Sequence, residues 1–78
     1  MCGIVGINSS KPVTGVIINS LKKLEYRGYD SAGVAVLNDG LINETKCEGR
    51  VENLENIFVK NKNDGPLGIG HVRWATHG

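Results

Sequence analysis

The chain has 78 residues, 40% hydrophobic and 22% charged, with 9 Lys plus Arg against 8 Asp plus Glu and a formal net charge of +1. That length holds one domain at most, and chains of this size bury only about 60% of the surface their unfolded state exposes. The charges form no basic stripe or block that would point to nucleic acid or an anionic membrane, no run nears the ~18 apolar residues of a spanning helix, and Met1 opens no signal-peptide pattern.

The expected setting is cytoplasmic, without nucleic-acid or membrane partners. Two cysteines, Cys2 and Cys47, are too few for a disulfide scaffold and are expected to stay reduced. Cys2, Cys47, His71 and His77 lack zinc-ligand spacing, so no metal is expected.

In chain order, Cys2 to Ile7 reads as a short buried strand, rich in β-branched residues and ended by Asn8-Ser9-Ser10. Pro12 suits the first turn of a helix in which Val13, Ile17, Leu21 and Leu24 recur at helical spacing. Gly28 breaks that helix. The connector Tyr26 to Ser31 leads into a strand from Ala32 to Leu37, and Asn38-Asp39-Gly40 signals a hairpin returning as Leu41 to Cys47. Val51, Leu54, Ile57 and Phe58 mark a second helix, and Asn61 to Gly65 a polar loop before Pro66. Leu67 to Trp74 reads as a buried strand that delivers Arg73 and Trp74 to its end. The order β-α-β-β-α-β with short connections predicts an α+β fold with a mainly antiparallel sheet and helices stacked on it.

Cys2 becomes the N-terminal residue if Met1 is removed, and a small second residue favours that removal. It then carries a thiol nucleophile and an α-amine that titrates near ~7.7–8.0, so nucleophile and base share one residue. The alternative is an inert core cysteine, since free cysteine is among the most buried residue types.

His71 to Gly78 gathers a cation, an indole, a hydroxyl and two imidazoles at a strand end and the loop after it. Such loops on rigid scaffolds concentrate binding residues. Arg73 offers a planar fork for a carboxylate, or serves in a structural ion pair. Trp74 either covers a bound molecule or packs in the core, while Thr76 and His77 add polar contacts. His71 alternates within the strand and reads as a hydrogen-bonded core residue. In the connector, Arg27 and Asp30 brace one another as a pair between apolar elements, or belong to a solvated turn.

Cys2-Gly3-Ile4-Val5-Gly6, Tyr26-Arg27-Gly28-Tyr29-Asp30-Ser31-Ala32-Gly33 and His71 to Gly78 together resemble the N-terminal nucleophile (class II) glutamine amidotransferases. Tyr29-Asp30 and Trp74 to Gly78 resemble the branch that makes hexosamine phosphate. The resemblance implies an αββα sandwich of which residues 1–78 supply the first part, as a partial glutamine amidotransferase domain. It further implies glutamine hydrolysis by Cys2 with its own α-amine as base. Arg73 would bind the glutamine α-carboxylate, Trp74, Thr76 and His77 would line the pocket, and Arg27 and Asp30 would give structural support. Ammonia would pass to fructose 6-phosphate on a separate sugar-phosphate domain of a homodimeric full-length protein, without a cofactor.

The family's oxyanion-hole Asn-Gly and sugar-phosphate domains lie beyond Gly78, so the expectation is a piece of a longer enzyme that is inactive alone. The competing reading is a non-catalytic remnant or a structural fragment that needs a partner. A small thiol-redox protein fits less well, because Cys2 has no resolving cysteine nearby in the sequence.

Overall fold

A computed structural model describes residues 2–25, 30–60 and 64–73. Its elements run β1 (Cys2–Asn8), α1 (Thr14–Leu24), β2 (Ser31–Asn38), β3 (Leu41–Glu48), α2 (Val51–Lys60) and β4 (Leu67–Arg73). The four strands form one sheet in the order β1-β4-β2-β3, and each neighbouring pair is antiparallel. The fold is α+β, as the sequence predicts.

The hairpin between β2 and β3 follows from two residues. Asp39 and Gly40 both have positive φ, 52° and 77°. A two-residue loop of that hand matches the strand twist and joins the strands without splaying them. It sets Asn38 opposite Leu41 and the rest of the register with it.

The helices cover one face of the sheet. Ile17, Leu21, Leu54 and Phe58 from the helices meet Ala32, Val34, Val36 and Val72 from the strands in one buried cluster. Close approach requires glycine on β4: a Cβ at Gly70 would collide with Cγ2 of Ile17, and one at Gly68 would come within 2.8 Å of its Cδ1. A Cβ at Gly3 of β1 would likewise come within 2.7 Å of Cδ1 of Leu24.

Both helix starts are satisfied from afar. The N-cap residue of α1 is Val13, whose side chain has no hydrogen bond to offer, and Pro12 therefore stands ahead of the helix rather than in its first turn. The Thr14 N–H instead donates to Oδ1 of Asp64 at 2.9 Å, and the Val13 N–H to the Gly65 carbonyl at 2.9 Å. At α2 the Val51 N–H donates to Oε2 of Glu25 at 2.6 Å. Helix N-termini carry unsatisfied N–H groups and partial positive charge, so a carboxylate serves both needs. Lys22 and Glu55 add an exposed ion pair between the helices at 2.7 Å.

The expectation of fully buried strands at β1 and β4 is corrected. Ile4 is 77% exposed and Ile69 58% exposed, because the face of the sheet away from the helices is uncovered among the described residues. Strand alternation sends Gly68, Gly70 and Val72 to the core and Leu67, Ile69 and Arg73 to the other side.

Candidate functional site

The two ends of the described chain meet at one end of the sheet. Cys2 opens β1, Arg73 closes β4, and antiparallel pairing makes them register partners. Ser31, the first residue of β2, is the register partner of Arg73 on its other side. Directly opposed residues of such a pair have Cα atoms about 4.5–5.5 Å apart. A candidate nucleophile and a candidate carboxylate anchor 71 positions apart in the sequence thus become backbone neighbours.

Arg73 is held by Asp30. The Asp30 N–H donates to the Arg73 carbonyl at 2.9 Å, and the Asp30 carbonyl accepts the Gly49 N–H at 2.8 Å, so Asp30 ties the end of β4 to the end of β3. Its carboxylate Oδ2 lies 3.7 Å from Nε of Arg73. That separation is an ion pair rather than a hydrogen bond. With side chains 65% and 47% exposed, the pair is solvated and worth little by itself. Asp30 is therefore not a charge buried between apolar elements.

His71 is not a core residue. It is half-buried on the uncovered face, and its Nε2 sits 2.6 Å from where a Cβ of Gly33 would be. Only a glycine at position 33 leaves room for the imidazole in that place. The register sets Ile4, His71 and Gly33 one row behind Cys2, Arg73 and Ser31. This row was not legible as a unit in the sequence, because His71 and Gly33 are brought together only by the pairing of β2 with β4.

Cys47 lies half-buried beside α2, its Sγ 3.9 Å from the Arg50 carbonyl. Burial pushes its thiol up from the usual range, opposite to what a reactive cysteine needs. Among the described residues no group of three or more His, Cys, Asp and Glu is placed to hold a metal ion, and no helix is long and apolar enough to cross a membrane. Arg27, Trp74, Thr76 and His77 lie outside the described residues, as does the proposed bracing of Asp30 by Arg27.

No protein-family model matches the chain. Curated relatives match it from end to end, and they are named as aminotransferases, an enzymatic family. A glutamine–fructose-6-phosphate aminotransferase (isomerizing) of Clostridium acetobutylicum is 60% identical over 78 residues, covering 100% of this chain and 13% of the relative. The protein of the same name from Clostridium perfringens is 56% identical over the same span, and that from Idiomarina loihiensis 52% identical over 79 residues, each with 13% of its length covered. From end to end the chain is similar to glutamine–fructose-6-phosphate aminotransferases at 52–60% identity, and it spans 13% of the length of these curated relatives.

Proposed function

We propose that residues 1–78 are the nucleophile-bearing beginning of a glutaminase domain that feeds ammonia to fructose 6-phosphate. The register pair Cys2–Arg73 carries the reading. Glutamine has a carboxylate at one end and a carboxamide at the other, separated by the length of its side chain. Two neighbouring backbone positions, one bearing a thiol and one a guanidinium, suit a molecule of that size.

In this reading Met1 is removed and the Cys2 α-amine accepts the thiol proton. Sγ attacks the side-chain carbonyl carbon of glutamine, and the tetrahedral intermediate collapses with loss of ammonia, which takes the proton from the amine. Water then attacks the thioester, releasing glutamate and restoring the thiol. Arg73 pairs with the α-carboxylate, where its planar fork fixes orientation as well as charge. Trp74, Thr76 and His77 line the pocket and exclude water, Arg27 braces the surroundings of the nucleophile, and Asp30 holds Arg73. The exposed position of the Arg73 side chain supports a role toward a ligand.

The uncovered sheet face supports the αββα sandwich. Ala35, Leu37, Ile42, Leu67 and Ile69 line an apolar depression of about 240 Å³ there. An apolar sheet face is stable only against another layer, and a second sheet from the rest of a longer chain supplies one. The oxyanion-hole donors and the sugar-phosphate domains belong to that remainder, as does homodimer formation. A single oxyanion donor is worth about 2.7–4 kcal/mol, so the 78 residues alone turn over little or no glutamine.

The test uses a full-length protein carrying this segment. Intact mass should lack Met1, a diazoketone analogue of glutamine should add once, at Cys2, and Cys2→Ala should lower glutaminase turnover on the order of 10⁴-fold or more. Full turnover with Met1 retained would overturn the amine-as-base mechanism.

A further inference from the structure

Ser31 opens β2 directly beside Arg73, its register partner on β4. No local pattern in the chain marks it as a site residue. Strand alternation decides where its hydroxyl goes: Ala32, Val34 and Val36 fill the core, so Ser31 projects from the opposite, uncovered face. Arg73 shares that face, because Val72 is the core residue at the end of β4. Guanidinium and hydroxyl therefore stand side by side on adjacent strands.

Two observations tie the pair to a ligand. The Nε of Arg73 lies 3.7 Å from Oδ2 of Asp30, the residue just before Ser31, which keeps the guanidinium near the start of β2. Its terminal nitrogens remain for an anion. The Ser31 hydroxyl is half-buried and makes no hydrogen bond among the described residues. A hydroxyl can donate to the same anion that a guanidinium fork holds. Glu48, the partner of Ser31 on β3, sets the outer limit, since its negative charge repels an anion from lying farther across the sheet.

We propose that Ser31 is a second carboxylate-binding residue, its hydroxyl donating to an oxygen of the glutamine α-carboxylate that Arg73 holds. The proposal rests on the glutaminase reading and adds a contact to it. Neighbouring strands lie about 4.7–4.9 Å apart, so Arg73 is one strand from Cys2 and Ser31 is two. The amide carbon and the carboxylate carbon of glutamine are separated by a run of carbon–carbon bonds spanning about 5 Å when extended. With the amide carbon at β1, where Cys2 stands, the carboxylate falls over β4 and turns one oxygen toward β2. Arg73 supplies the countercharge there, and Ser31 closes the side away from the nucleophile. Donors on both sides select a carboxylate at the α-carbon over a hydrogen or an amide.

Steady-state kinetics on a full-length protein carrying this segment test it, with ammonia release as the readout. Ser31→Ala should raise KM for glutamine about 10-fold, the loss of one hydrogen bond to a charged group. It should leave kcat nearly unchanged, because the α-carboxylate is held equally before and during attack. Ser31→Thr keeps the hydroxyl and should keep KM near that of the unsubstituted protein. 4-Aminobutanamide, which is glutamine without its α-carboxylate, should lose nothing on Ser31→Ala. An unchanged glutamine KM in Ser31→Ala would overturn the proposal, as would an equal loss on both substrates or a Ser31→Thr protein as impaired as Ser31→Ala. Each of those failures leaves the glutaminase reading standing. Absence of ammonia release from glutamine by the unsubstituted full-length protein would overturn both.

Discussion

Asp30 grips Arg73 twice, through its backbone N–H on the Arg73 carbonyl at 2.9 Å and through a carboxylate oxygen 3.7 Å from Nε. The first contact survives any side-chain change at position 30, and the second is solvent-screened. Asp30→Asn should therefore change stability by no more than about 1 kcal/mol in a urea titration. Arg73→Lys keeps the charge but loses the planar fork. On the proposed function it should raise KM for glutamine by about 10–150-fold, the equivalent of a charged hydrogen bond worth roughly 1.5–3 kcal/mol. An unchanged KM would remove Arg73 from the substrate site.

Asp64 supplies the acceptor that Val13 cannot. Burial raises its carboxyl pKa, but hydrogen bonds from the Thr14 backbone and side chain and from the Gly65 and Val13 backbones outweigh that, holding it below the usual range. A depressed folded pKa means the unfolded state binds the proton more readily. Its stabilising contribution is complete above the unfolded value of about 3.9 and is lost as pH falls through the lower folded value. Asp64→Ala should cost about 0.5–2 kcal/mol at neutral pH, the usual worth of a cap. The difference from the unmodified protein should shrink in unfolding measurements taken below about pH 4.

Glu25 does the same for α2, with Oε2 at 2.6 Å from the Val51 nitrogen. Glu25→Gln retains an oxygen acceptor and removes the charge beside the helix N-terminus. The expected loss is about 0.3–1 kcal/mol, and Glu25→Ala should exceed it. Equal effects in thermal unfolding would show that charge contributes nothing there.

Gly70 faces Ile17 and Leu21 so closely that a methyl group has no space. The nearest atom is on the branched carbon of Ile17, which is stiff at χ1 in a helix. Gly70→Ala should destabilise by about 1–3 kcal/mol through overpacking. Gly15→Ala, on the exposed side of α1 with nothing within 4 Å, should stabilise by roughly 0.5–1 kcal/mol, and denaturant midpoints compare the two directly.

Each element was legible in the sequence because its causes are local. The period-four spacing of Ile17 and Leu21, the spacing of Leu54 and Phe58, and the Asp39-Gly40 turn all act within a few residues of chain. The three motifs likewise marked Cys2 and Arg73 without coordinates. The strand order β1-β4-β2-β3 was not legible, nor was anything that depends on it. Only pairing across the sheet sets Cys2 beside Arg73 and seats His71 over Gly33. Asp64 and Glu25 reach their helices across 50 and 26 residues, a distance at which no sequence pattern operates. The sequence by itself determined the elements and the α+β class, because backbone preference and side-chain periodicity are short-range. The tertiary structure alone decided which ends meet, because hydrogen bonding between strands and burial of one sheet face are satisfied only by the assembled sheet.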